Sequence, residues 1–214
     1  MKSCDILLLG ESMERKKIKS DFININTEEK SYFGGTADLL DFDLALKDFS
    51  KTQSSGFFAL TDLLLYEFAK YSETKGTNGD LNFDFDSYSK FLRNYIDSKA
   101  YRYFGFLSLR SIEAYIKRLA AKRRIEIKTS YHANFISQNI FIKIIDQALE
   151  KDHPLLMELG IRQGFDYPKY SLVIGREDDS LILASRGEKK VEKISNIFSY
   201  SDYRLGLLYI EAYL

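Results

Sequence analysis

The fold is decided by the stretch SSGFFALTDLLLYEFA, residues 54–69, which has the composition of a helix buried on nearly all sides. Apolar residues occupy most of its length, and the polar exceptions after the start are Thr61, Asp62 and Glu67. Three polar side chains are too few to solvate one whole side of a surface helix. The stretch therefore predicts a central helix on which the rest of the chain packs.

The start of this helix has the residue types of a nucleophile site. Ser54 or Ser55 can accept hydrogen bonds from the amides of the first turn, which have no partner within the helix. Gly56 has no side chain to obstruct a group that approaches those amides, and a helix N-terminus favours negative charge. Several acyl-transfer enzymes hold their nucleophile on a small residue followed by glycine and a buried helix. Here serine occupies that position.

The segment SGFFALTDLLLY, residues 55–66, resembles the Cys-Gly-x-x-Ala-x-Thr-Asp/Asn-Leu-x-x-Tyr helix of bacterial papain-like cysteine peptidases of the C39-like type. Ser55 stands where these peptidases carry the catalytic cysteine. The resemblance covers residues 53–214 and implies a single papain-like domain over residues 1–214, with residues 1–50 as an N-terminal extension of weaker resemblance. It implies an α+β fold in which a buried central helix and a helical half pack on a mostly antiparallel β-sheet.

The resemblance also locates the two other catalytic positions of the family. A histidine there opens a strand in a pattern such as His-Tyr-x-x-x-x-Gly, and an asparagine follows on the next strand. The segment KYSLVIG, residues 169–175, matches the first pattern with Lys169 at the histidine place. The segment ASRG, residues 184–187, matches the second with Ala184 at the asparagine place.

With Ser55, Lys169 and Ala184 at these places, the chain lacks the Cys-His-Asn triad of the family. A serine hydroxyl needs a positioned base, and Lys169 could be that base only in an uncharged, buried form. Ala184 cannot orient any base. Gln53 and Gly56 mark the possible oxyanion region, although the family's glutamine lies farther ahead of the nucleophile. We therefore predict a catalytically degenerate domain whose cleft binds a peptide or protein. The alternative is a serine-nucleophile hydrolase or acyltransferase with a Ser55–Lys169 dyad.

The composition argues against several classes of protein. The 214 residues include 31 Lys and Arg and 31 Asp and Glu, so we predict no nucleic-acid partner. Cys4 is the single cysteine and the histidines number two, which leaves too few ligands for a zinc site. The acidic residues Asp80, Asp84 and Asp86 lack the glycine and terminal glutamate of an EF-hand, so neither a metal nor a cofactor is predicted. The apolar run 6–9 is too short for a membrane span, which predicts a cytoplasmic protein without a membrane partner.

Neither histidine supplies the missing base. His153 comes one strand too early for the family's histidine, and we predict a satisfied, partly exposed loop residue, as for His132. Cys4 precedes the fold that would have to position it as a nucleophile. The segment 110–124 is locally basic, and either a solvated helix face or an anionic partner explains it.

The periodicity of the chain predicts helices followed by strands. Helices are predicted over 38–49, 54–72, 86–96, 108–122 and 137–149. Strands are predicted over 4–10, 22–26, 125–127, 154–159, 170–175, 181–184, 190–194 and 205–213. The segment 13–20 is predicted to be a basic loop or a short helical turn.

Overall fold

The computed structural model describes residues 15–18, 22–36, 39, 55–77, 79–96, 108–135, 137–161 and 168–213. The helices are α1 (Ser55–Thr74), α2 (Phe85–Ile96), α3 (Leu109–Lys122), α4 (Gln138–Glu150) and α5 (Ile194–Tyr200). The strands are β1 (Arg15–Lys17), β2 (Asn24–Asn26), β3 (Ser31–Phe33), β4 (Asn82–Asp84), β5 (Ile127–Ala133), β6 (Leu155–Ile161), β7 (Tyr170–Glu177), β8 (Ser180–Ser185), β9 (Glu188–Lys193) and β10 (Ser201–Tyr213). The chain is therefore α+β, as predicted.

The helix α1 is the buried element that the sequence indicates. Every residue from 56 to 67 is buried, including the three polar ones. Leu60 and Leu63 are completely enclosed, and burying a leucine side chain contributes roughly 1.5–3 kcal/mol. The helix ends before Gly76, whose φ of 76° is the left-handed conformation that commonly follows a helix C-terminus.

The main sheet has seven strands in the described part of the chain. Its order is β5-β10-β6-β7-β8-β9, and β1 pairs with the second half of β7. All of these pairings are antiparallel. Almost every residue of β7 and β8 is buried, because elements cover the sheet on both faces.

The helices divide between the two faces of this sheet. Leu109 of α3 packs against Gly206 of β10, which lies opposite Glu158 in β6. Side chains of α1, α3 and β10 line one cavity on this same face. On the other face, Arg176 of β7 donates two hydrogen bonds to Asp146 of α4, at 2.7 and 2.9 Å. Thus α1 and α3 cover one face, and α4 covers the other.

A second, three-stranded sheet has the order β3-β2-β4, with β2 and β4 parallel. The Phe33 amide donates a 2.8 Å hydrogen bond to the Gly187 carbonyl in the turn between β8 and β9. The Gly35 amide donates to Asp62 of α1 at 2.8 Å. The small sheet is thereby joined both to the main sheet and to the central helix.

Two sequence predictions about local structure are wrong, and one helix was not predicted. Residues 15–17 form β1 rather than a loop or helical turn, because β7 extends beyond β6 and its backbone groups there pair with β1. The helix α5 was not predicted; it follows directly after β9, which confirms the strand predicted over 190–194. The strand predicted over 125–127 instead runs from 127 to 133, where polar residues had concealed it.

Other predictions are confirmed or lie beyond what is described. The helix α3 begins after Ser108, whose hydroxyl accepts a hydrogen bond from the Ser111 amide. The predicted strand 4–10 lies outside the described residues. The same is true of the predicted helix 38–49 apart from Leu39.

Candidate functional site

The first residue of α1 is Ser55, and its side chain is half-buried. Gly56, Phe57 and Phe58 follow it and are buried. The first turn contains no acidic side chain, so the positive end of the helix dipole has no acidic residue of its own helix beside it. Gln53, the predicted oxyanion residue, lies outside the described residues.

Lys169 lies just before β7 and is paired with an acidic residue. Its Nζ is 3.3 Å from Glu158 Oε1, and its side chain is 39% exposed. The Tyr170 hydroxyl donates to the same oxygen at 3.3 Å, and the Leu109 amide at the start of α3 donates to Oε2 at 3.0 Å. Burial, together with the Glu158 charge, raises the pKa of Tyr170 well above its usual value. Among the described residues, no hydrogen bond joins Lys169 to Ser55.

The register of the sheet decides which side chains face α1. Ala184 lies opposite Leu172 in β7, and side chains alternate along a strand, so Tyr170 and Ala184 share one face. This is also the face of Glu158, the one that α1 and α3 cover. Ser171 and Ser185 lie on the opposite face, where their hydroxyls are 3.2 Å apart.

The structure therefore places the predicted site residues in different surroundings. Ala184 is a buried methyl group that points toward the α1 side, with 6% of its surface exposed. Tyr170 and Leu172 of β7 share this face with Ala184, whereas Lys169 precedes the regular strand. The position of Tyr170 on this face was not predicted, because a match of sequence patterns does not determine the face on which a strand residue lies.

Neither protein-family models nor curated proteins give a match to this chain. The papain-like assignment therefore stays a prediction. Within the described residues, no cluster of His, Cys, Asp and Glu side chains could hold a metal ion. None of the helices in the described ranges has the length and apolar content needed to cross a membrane.

A second polar cluster lies near the other end of α1. His153, in the turn between α4 and β6, places Nδ1 3.0 Å from Glu67 Oε1. The Tyr213 hydroxyl donates to Glu67 Oε2 at 3.1 Å, and the surrounding burial and negative charge raise the pKa of Tyr213. Only 6% of His153 is exposed, so the predicted hydrogen bonding of this residue is confirmed and its predicted partial exposure is wrong.

The same turn is held by two further residues of α1. The Tyr66 hydroxyl donates to Asp152 Oδ1 at 2.8 Å, and Lys70 donates to the Asp152 carbonyl at 2.6 Å. Asp152 has a φ of 63°, a conformation that costs a non-glycine residue free energy unless its surroundings hold it. These contacts give the cluster a structural role in fixing the turn.

An apolar cavity adjoins Glu67 and Tyr213, between α1, α3 and the end of the main sheet. The volume open to the centre of a water molecule is about 10 Å³. That space holds about one water, so the cavity is too small for an organic ligand.

Asp62, midway along α1, forms a third buried cluster. Its Oδ2 accepts from the Gly35 amide at 2.8 Å, and its Oδ1 accepts from the Tyr88 hydroxyl at 2.7 Å. Burial raises the pKa of Asp62 to about 7, and the two hydrogen bonds only partly oppose this effect. The carboxyl joins α1, α2 and the small sheet.

Proposed function

We propose that this chain is a catalytically degenerate papain-like domain, similar to C39-like peptidases, whose cleft at the start of α1 binds a peptide or protein. The observation that carries the proposal is the ion pair between Lys169 and Glu158. A general base must present a free lone pair to its nucleophile, whereas Lys169 donates toward a carboxylate. Ala184 offers no polar group, so within the described residues neither predicted partner can activate Ser55.

The start of α1 also supports the binding function. The first turn of a helix supplies amide donors, and Ser55 in that turn is half-buried, so solvent reaches the start of α1. A peptide has backbone carbonyls that accept hydrogen bonds from such donors. Binding energy of this kind does not depend on a nucleophile.

The first test is a fluorophosphonate reagent, which modifies activated serines, followed by intact mass analysis. We expect no adduct, because Lys169, the candidate base, is paired with Glu158. The alternative function, a Ser55–Lys169 dyad, predicts an adduct on Ser55 that disappears in Lys169→Met. That result would overturn the proposal.

The second test measures binding. In a Cys4→Ser background, Ser55→Cys introduces one thiol at the start of α1. Thr74→Cys introduces a matched control at the end of the same helix, where Thr74 is exposed. A mixture of random decapeptides should slow iodoacetamide alkylation at position 55 and leave position 74 unchanged. Equal rates with and without peptides at both positions would contradict the binding function.

A restoration experiment tests the alignment itself. Ser55→Cys combined with Ala184→Asn is tested with either Lys169→His or Tyr170→His. An imidazolium beside the thiol should lower the pKa of that thiol below its reference of about 8.5. The pH profile of alkylation, compared with Ser55→Cys alone, shows which position faces the helix start. Profiles unchanged in both triple variants would mean that the papain-like alignment is wrong.

A further inference from the structure

The main sheet ends in two edge strands, β5 and β9, and these differ sharply in charge. In β9, the sequence EKKVEK has charged side chains at five of six positions. In β5, the sequence IKTSYHA has one permanently charged side chain, Lys128. Proteins commonly protect exposed edges with charge or proline, because unpaired backbone groups recruit another strand. By this criterion β9 is protected, and β5 is not.

The uncharged part of β5 runs from Thr129 to Ala133. Burial lowers the pKa of His132, so this side chain is neutral at pH 7, and its Nε2 lies 3.2 Å from the Ser130 hydroxyl. The segment contains no proline. Among the strands that the structure describes, only β10 pairs with β5, so the outer edge of β5 has no described partner.

The helix α3 places cations along this edge. The Arg110 guanidinium is 5.8 Å from the centre of the Tyr131 ring in β5. Glu113 accepts hydrogen bonds from Thr129 of β5 and from Lys117, both at 2.7 Å, which holds Lys117 beside the strand. Residues 108–128 contain seven Lys and Arg but two Asp and Glu, whereas the whole chain contains 31 of each class. The uncharged part of β5 therefore has two cations beside it, Arg110 and Lys117, within a basic segment of the chain.

We propose that the outer edge of β5, which pairs with no further strand among those described, binds an extended acidic segment of a partner protein as an additional strand. Backbone hydrogen bonds to β5 would supply affinity, and carboxylates of the segment would pair with Arg110 and Lys117. This surface is separate from the cleft, since β10 and β6 lie between β5 and β7. The inference does not depend on the papain-like assignment.

Two other occupants fit the observations less well. A second copy paired through β5 would bring two basic α3 helices together, and like charges disfavour that arrangement. A nucleic acid has no peptide backbone to pair with a strand edge. The net charge of the chain is zero, so the protein as a whole does not attract a long polyanion that extends beyond the basic segment.

The test uses an octapeptide of alternating Glu and Val on the full chain, with affinity measured by fluorescence polarisation. Two further peptides carry N-methyl groups at alternate residues. In one peptide the methylated amides are those that point to one edge of the extended strand, and in the other they are those that point to the opposite edge. A strand-adding peptide should lose about tenfold in affinity when the edge facing β5 is methylated, since several backbone donors are removed. A Lys-Val octapeptide should bind more weakly than the Glu-Val octapeptide.

Matched protein variants locate the site. Arg110→Glu with Lys117→Glu should weaken binding of the Glu-Val octapeptide about tenfold or more. Lys189→Glu with Lys190→Glu, which changes the net charge equally at the β9 edge, should leave it unchanged. The proposal is overturned if the Glu-Val octapeptide does not bind, if neither methylated version binds more weakly, or if both double variants act alike. Tighter binding of an oligothymidylate of equal charge would identify a nucleic-acid surface and overturn it as well.

Discussion

Asp62 should make the stability of this protein depend on pH in a direction opposite to that of most acidic residues. Its carboxyl is buried in α1 between the Gly35 amide and the Tyr88 hydroxyl. The informative perturbation is Asp62→Asn. The asparagine side chain has the shape of the protonated acid: its oxygen can accept from Gly35, and its NH₂ can donate to the Tyr88 oxygen.

The magnitude follows from the pKa of Asp62, which rises from 3.8 to about 7 in the folded protein. A raised pKa means that the folded state binds the proton more tightly than the unfolded state. The contribution to stability is therefore fully present below pH 3.8 and is lost as the pH rises through about 7. A difference of about three pH units corresponds to about 4 kcal/mol in the free energy of unfolding.

Urea denaturation of the wild type and of Asp62→Asn, between pH 4 and pH 9, measures this effect. The variant should gain stability relative to the wild type by roughly 1.4 kcal/mol per pH unit up to about pH 7, and then remain at a constant difference. Asp84→Asn is the control. Hydrogen bonds from Ser87 lower the pKa of Asp84, so its contribution is present at neutral pH and lost in acid. Parallel stability profiles for the wild type and Asp62→Asn would refute the reasoning.

Three further substitutions test the packing and the polar contacts by urea denaturation at pH 7. His153→Ala should cost about 3 kcal/mol, because Glu67 would remain buried without this partner, and a cost near zero would contradict the account of that cluster. Leu60→Ala should cost about 3 kcal/mol, whereas Ile140→Ala, at a residue 57% exposed, should cost less than about 0.5 kcal/mol. Ser108→Ala should lower the free energy of unfolding by about 1 kcal/mol, because the N-terminal cap of α3 is lost. An unchanged free energy of unfolding would contradict this role of Ser108.

Elements with strong local patterns could be predicted from the sequence. The helix α1 has an almost continuous apolar composition, and β7 and β8 are apolar runs bounded by the turns at Asp178 and Arg186, both with positive φ. In these segments most apolar residues of the sequence are buried residues of the structure. The hydrophobic period and the turn residues are therefore sufficient to predict the helix and the strands. The helix α3 adds a capping serine to a clear amphipathic pattern.

The remainder depends on contacts between distant residues. The strand β1 consists of Arg15, Lys16 and Lys17, and it forms because β7 offers unpaired backbone groups there. His153 is buried by Glu67 and its neighbours, which lie 86 residues away in the sequence. In the candidate site, the sequence was sufficient to match Ser55, Lys169 and Ala184 with the three catalytic positions of the family that it resembles. The position of Tyr170 on the α1 face depends on strand register, which no local pattern contains.

The position of β10 has a consequence for synthesis of the protein. This strand joins β5 to β6, and in the chain it comes after both. Until β10 is available, no other described strand can join β5 to the strands β6, β7, β8 and β9. A nascent chain that stalls before β10 therefore offers chaperones and proteases exposed strand edges that the finished protein has covered.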